Sequence, residues 1–245
     1  MRVSILEIKN LQKTYAGGHR AVDGLSLSIE PGQIYGFIGH NGAGKTTTLK
    51  AVTGLIDFEG GEIRIDGFDI KTDAISAKRA VAYVPDNPEI YDYLTGIQFL
   101  NFMADMYNMS AAERGERIAK IADAFELTPS LGDLIGSYSH GMKQKLLLVA
   151  AFMHSPKLFV FDEPFVGLDP KASFQMKALM REACDRGSAV FFSTHVLDVA
   201  EKLCDRVAII RAGRLIACGR TEDIRGDESL ESVFLELSDE KERTK

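Results

Sequence analysis

Gly39-His40-Asn41-Gly42-Ala43-Gly44-Lys45-Thr46 decides how the rest of this sequence is read. The spacing is G-x-x-x-x-G-K-[ST], in which the glycines let the backbone curl so that successive N–H groups point at one phosphate. An apolar stretch, Gln33 to Ile38, precedes it and reads as a buried strand; Thr47-Thr48-Leu49-Lys50-Ala51-Val52 follows and reads as a helix start. A helix beginning there adds partial positive charge at its amino end. Gly39, Asn41, Gly42, Ala43, Gly44, Thr46 and Thr47 are therefore candidate phosphate contacts. Lys45 is the side chain that reaches the outer phosphates of a nucleotide, and the Thr46 hydroxyl is a ligand for Mg²⁺.

Working outward, 245 residues suffice for one large α/β domain or for a core with a lobe. The net charge is −6 and no basic stripe stands out, which argues against nucleic acid as the partner. Cys184, Cys204 and Cys218 are scattered without metal-ligand spacing and read as reduced, buried thiols. Met1-Arg2-Val3-Ser4-Ile5 runs straight into an alternating strand, so no secretion signal is expected. The longest apolar run, Leu146 to Met153, falls short of the roughly 20 residues of a membrane span. A membrane process would need another chain to supply the membrane part.

Alternation over residues 4–15, over Ala21 to Ile29 and over Glu62 to Gly67 predicts a small antiparallel sheet beside the nucleotide. From about 87 to 155 the period becomes helical. Thr95 is an N-cap before Phe99, Leu100, Phe102, Met103 and Met106; Ile118, Ile121, Ala122 and Phe125 form a second stripe. Met142 to His154 reads as a third helix, stopped near Pro156. Leu158-Phe159-Val160-Phe161 and Ala189-Val190-Phe191-Phe192 are continuous apolar runs of the kind found in buried parallel strands. Asp169-Pro170 opens a helix with a cap and a proline at its first position. Arg206–Ile210 and Leu215–Ala217 close as a hairpin, and the tail, 238–245, reads as charged and disordered.

The strand Leu158–Phe161 ends in Asp162-Glu163-Pro164. Two carboxylates at the end of a buried strand need a reason, because unpaired buried charge is costly. Mg²⁺ held by Asp162 with Thr46, and a water polarised by Glu163, supply one.

With these segments in hand, the chain resembles the ATP-binding subunits of ABC transporters from Tyr15 to His195. That resemblance implies a P-loop NTPase (RecA-like) α/β core with an antiparallel β subdomain and an inserted helical subdomain, in a single domain over 1–237. It implies ATP hydrolysis with Mg²⁺, catalysed by Glu163, His195 and Lys45. Tyr15 resembles the aromatic that stacks on adenine. Tyr138-Ser139-His140-Gly141-Met142-Lys143-Gln144 resembles the family signature, L-S-G-G-Q, whose Ser139 and Gly141 amide would bind the γ-phosphate held by another subunit. Gly167-Leu168-Asp169 resembles the loop that crosses the dimer interface, and Asp169 is equally well read as a plain N-cap. Ser193-Thr194-His195 resembles the switch-histidine segment.

The implied partners are an integral membrane permease and a second copy of the chain or a paralogous ATPase. The implied location is the cytoplasmic face of the membrane. Three positions depart from the family pattern. Asp86 stands where a glutamine usually contacts Mg²⁺ and, as a carboxylate, is expected to reach the ion still, directly or through water; His40 stands where proline is frequent, and His140 where the first signature glycine belongs. Tyr-Ser-x-Gly-Met and the tail Ser229–Leu237 lean toward exporter-type subunits. The aromatic stretch around Tyr91, Tyr93 and Phe99 reads either as a docking groove for the permease or as core of the helical lobe. A soluble ABC ATPase that assembles or remodels a protein complex is the alternative function. A simple nucleotide kinase would leave the signature and switch segments without a purpose.

Overall fold

Leu158–Phe161, Ala189–Thr194 and Ile34–Ile38 are buried throughout, and each alternates its side chains between two cores. Phe159 and Phe161 face one apolar cluster, and Leu158 and Val160 face the other. A strand buried on both faces has no place for an unpartnered polar group: the one hydroxyl in these runs before their ends, that of Tyr35, meets Cys218 Sγ at 2.9 Å. Burial of each phenylalanine contributes about 2–3 kcal/mol.

The computed structural model describes residues 4–239. In chain order the first half holds β1 (Leu6–Thr14), β2 (Arg20–Ile29), β3 (Ile34–Ile38), α1 (Lys45–Val52), β4 (Gly60–Ile65), β5 (Phe68–Asp69), α2 (Ala74–Arg79) and β6 (Val81–Val84). The helical run follows: α3 (Gly96–Met106), α4 (Ala111–Ala124) and α5 (His140–Met153). The chain closes with β7 (Leu158–Phe161), α6 (Pro170–Asp185), β8 (Ala189–Thr194), α7 (Leu197–Leu203), β9 (Arg206–Arg211), β10 (Arg214–Arg220), α8 (Thr221–Arg225) and α9 (Leu230–Asp239).

Two sheets result. The larger has six strands in the order β10-β9-β3-β8-β7-β6, parallel from β9 to β6, with β10 antiparallel at one edge. The smaller is antiparallel, in the order β2-β1-β4-β5, with Leu6 paired to both Ile29 and Ile65. It covers one face of the parallel sheet together with α1 and α2; α3 to α6 cover the other. This is the α/β architecture with an antiparallel sheet and inserted helices that the sequence predicts. Among the described residues no helix is long and apolar enough to cross a membrane.

The differences are local. Residues 87–95 are not helical; the first helix of the run starts at Gly96, where Thr95 and Gln98 form a reciprocal capping box. Val81–Val84, which the sequence reading passed over, is the edge strand β6. The hairpin of β9 and β10 is not separate, because β9 also pairs with β3. Ser238 and Asp239 belong to α9 rather than to a disordered tail, and 240–245 lie outside the described residues. The helix forms there because Leu230, Val233, Phe234 and Leu237 recur at helical spacing, with Leu230 and Phe234 buried.

Candidate functional site: a nucleotide cleft at the carboxyl edge of the parallel sheet

Strand register places the site. Ile38 pairs with Thr194, Phe192 with Phe161, and Phe161 with Val84. The residues that come next leave the sheet along one edge: Gly39, His195, Asp162 and, two residues on, Asp86. Ligand sites of open α/β sheets form at this edge because the loops there diverge and helix amino ends point into the gap.

The phosphate-binding loop is shaped by close approaches. A Cβ on Gly39 would lie 2.5 Å from the Ile210 carbonyl oxygen, and one on Gly44 would lie 2.3 Å from that of Ala21. Gly44 also sits at φ 108°, in the left-handed region, as N-cap of α1. Ala43 is buried; its amide donates to the His40 carbonyl and its own carbonyl accepts from Gly213. Lys45, only 6% exposed, donates from Nζ to the carbonyls of Gly39 (2.7 Å) and His40 (3.3 Å) and lies 3.6 Å from Glu163 Oε1.

Glu163 is the hub of the edge. Its Oε2 lies 3.0 Å from His195 Nδ1 and accepts from the His195 amide at 3.4 Å. Its backbone is left-handed at φ 46°, unusual outside glycine, and its amide donates to Ser193 Oγ at 2.9 Å. Strain of this kind persists only where the surroundings impose it, and it turns the carboxylate from the strand line toward Lys45 and His195. Ser193 Oγ in turn donates to Asp162 Oδ1 at 2.5 Å. Ser193 is fully buried and ties both carboxylate residues together, a part that the sequence reading did not assign to it. Its signal was a small polar residue at the end of the apolar run Ala189–Phe192.

Asp162 is 1% exposed, and its Oδ2 is buried without a hydrogen-bond partner. Burial holds its carboxyl above the usual carboxylate range; the Ser193 and Thr46 hydroxyls pull it down, and the charges of Asp86 and Glu163 raise it further. An orphaned buried carboxylate oxygen beside a hydroxyl is what a hard, oxygen-seeking cation requires. Among the described residues no cluster of three or more His, Cys, Asp or Glu forms a closed metal cage. Mg²⁺ fits such a site, since it takes few protein ligands and fills its shell with phosphate oxygens and water.

A cleft of about 230 Å³ collects Tyr15, Asn41, Gly42, Lys45, Thr46, Thr47, Asp86 and Glu163. Tyr15 follows β1 at its mouth, 41% exposed, with its hydroxyl 3.3 Å from Thr47 Oγ1. A larger cavity, about 370 Å³, lies at the opposite ends of β7 and β8, lined by Lys157 and Ser188, and has none of these groups.

Ser139, Gly141 and Asp169 do not line the cleft. Ser139 is exposed and caps α5, accepting from the Met142 amide at 3.2 Å. Gly141 fits only as glycine, since a Cβ would lie 2.7 Å from the Gly167 carbonyl oxygen. The His140 ring packs on Gly167 in turn, so the departure at 140 is seated against the neighbouring loop. Asp169 caps α6 through the Ala172 amide and pairs with Lys145 at 2.6 Å. Lys143 reaches Asp92 at 2.7 Å, tying the same helix to the segment after Asp86. Neither lysine had been singled out from sequence.

Comparison with known proteins agrees with this geometry. The model of the ABC transporter family matches residues 22–166. The chain is 34% identical over 243 residues to the ABC-type transporter ATP-binding protein EcsA of Bacillus subtilis, covering 97% of this chain and 98% of that one. It is 35% identical over 238 residues to the daunorubicin/doxorubicin resistance ATP-binding protein DrrA of Streptomyces peucetius, covering 97% of this chain and 72% of the relative. A solved structure described as the ATP binding subunit of an ABC transporter superposes with a TM-score of 0.92 at 34% identity, covering 96% of this chain and 100% of that one. The chain belongs to the ABC transporter family, as an ATP-binding subunit with ATPase activity.

Proposed function

We propose that two copies of this chain close head to tail around two ATP molecules and that their hydrolysis drives a membrane permease, in the direction of export. The observation that carries this reading is the separation of two half-sites on one chain. The cleft gathers Lys45, Thr46 and Glu163, whereas Ser139 and the amino end of α5 are exposed outside it. A helix amino end is suited to an anion, and this one is capped by Ser139, whose hydroxyl still has its proton to donate. A second copy, turned head to tail, brings its γ-phosphate to that point.

Within each composite site the roles follow from position. Lys45 and the loop amides hold the β- and γ-phosphates, and Tyr15 stacks on the base. Glu163, held between Lys45 and His195, orients the attacking water and accepts its proton. His195 is 54% exposed, free to swing from Glu163 to the γ-phosphate. Thr46 and Asp162, with Asp86 beside them, would hold Mg²⁺, which neutralises charge on the phosphate oxygens when bound. Ser139 and the Gly141 amide close the site from the partner.

The docking surface for the permease is placed on the helical lobe. Tyr91, Tyr93, Phe102 and Met106 are exposed, and the Tyr91 ring meets those of Tyr93 and Phe102 at 5.8 and 6.3 Å. Pro88 and Phe99 are buried, so this aromatic stretch serves both core and surface. An exposed aromatic patch suits a short helix from a membrane chain. Such docking places the subunit on the cytoplasmic face. Export is supported by likeness to the resistance protein DrrA.

The test is size-exclusion chromatography of Glu163→Gln with and without Mg-ATP. The variant is expected to shift from monomer to dimer on adding Mg-ATP and to remain monomeric with ADP. A monomer under both conditions contradicts the sandwich.

A further inference from the structure

The carboxy-terminal helix α9 reaches back to the phosphate-binding loop. Its Phe234 ring packs on the His40 imidazole with centroids 4.8 Å apart and planes at 58°. Phe234 is 6% exposed and Leu230 fully buried, so the helix is docked rather than draped. The Leu230 amide donates to Glu201 Oε2 at 2.8 Å, and Arg211 of β9 donates to the Leu237 carbonyl at 3.5 Å.

His40 is an informative place for such a contact. Its side chain lines the mouth of the nucleotide cleft, and its carbonyl accepts from both Lys45 Nζ and the Ala43 amide. Gly39, immediately before it, lies close against Ile210 of β9, where an added Cβ would come within 2.5 Å of the carbonyl oxygen. The loop is thus clamped at its first residue by the sheet, and at its second by a ring from α9. Movement of His40 would move the carbonyl that helps aim Lys45.

We propose that Phe234 is a positioning residue of the nucleotide site, acting through His40 to hold the phosphate-binding loop in its ATP-accepting shape. The docked α9 thereby sets the affinity of the cleft for nucleotide, and an event that lifts the helix lowers it. The contact acts on binding, because it touches neither Glu163 nor His195, which handle the water.

The test is a set of full-length variants assayed for ATP affinity, KM, kcat and melting temperature. Phe234→Leu keeps apolar bulk in the helix and removes the ring; it is expected to weaken ATP binding and raise KM by about three- to tenfold, with kcat within about twofold. His40→Ala is expected to match it, and Leu235→Ala, on the exposed side of α9, to change nothing. In the His40→Ala background, Phe234→Leu should have no further effect on affinity. Unchanged ATP affinity in Phe234→Leu with only a lower melting temperature, or effects of the two substitutions that simply add, would overturn the proposal.

Discussion

The carboxyl edge of the parallel sheet and the amino end of α5, the two halves of the proposed composite site, are built in opposite ways. At the sheet edge the groups are tied to one another and all but the exposed His195 are buried or half-buried: Lys45 to Glu163, Glu163 to His195, and Ser193 to Asp162 and the Glu163 amide. At α5 Ser139 is exposed, and the helix is tied sideways, Lys145 to Asp169 and Lys143 to Asp92. The first region is pre-organised for chemistry within one chain. The second is pre-organised for presentation, its orientation fixed by the loop at Gly167 and by the segment that leads to the aromatic patch. In the proposed head-to-tail pair, catalysis draws on both and is conditional on assembly.

This contrast predicts effects of different kind and size. Glu163→Gln keeps the shape of the edge and removes the proton acceptor; turnover should fall by about 10²- to 10³-fold with ATP binding retained, measured by single-turnover hydrolysis and nucleotide titration. Normal turnover in that variant would remove Glu163 from the mechanism.

Ser193→Ala probes the cohesion of the edge. It leaves Asp162 Oδ1 and the Glu163 amide without their shared partner, so about 1–3 kcal/mol of stability should be lost, read by denaturant unfolding. Turnover should drop by about tenfold through misplacement of Glu163. Full activity would show that the strained Glu163 backbone is held by other contacts.

An effect on stability alone, with none on turnover, belongs to the junction of α3, α5 and β6. Burial depresses His154 to about 4 from 6.5, and its ring stacks on Tyr107 with centroids 3.7 Å apart. Between those values the unfolded chain takes up the proton and the folded chain does not. The stabilisation is therefore complete above pH 6.5 and is lost as pH falls through 4. The loss amounts to about 3 kcal/mol at most. His154→Gln should flatten this part of the pH–stability curve without changing the cleft, whereas an unchanged slope would assign the dependence elsewhere.

Legibility in the sequence followed the same division. Gly39–Thr46 and Asp162-Glu163 could be read because backbone curvature and buried carboxylates admit few residue types. Thr95 and Asp169 were visible as caps through local hydrogen bonding alone. What escaped depends on distant pairing. β6 is a four-residue edge strand, too short to show a period of its own and defined by its pairing with β7. Ser193 acts only because parallel register sets it beside Asp162, and Phe234 only because α9 folds back over β9. Ser139 and Gly141 were read by resemblance; their geometry within one chain would by itself say only helix cap.

In the proposed pair, one complete site takes its phosphate loop from one copy and its signature from another. This sharing is tested most directly by mixing two inactive variants, Lys45→Ala and Ser139→Ala. In a head-to-tail pair, half of the random dimers are mixed, and each mixed dimer keeps one intact site. The account predicts recovery of about a quarter of wild-type ATPase activity in the mixture. Activity no higher than the average of the two separate variants, at any mixing ratio, would contradict it.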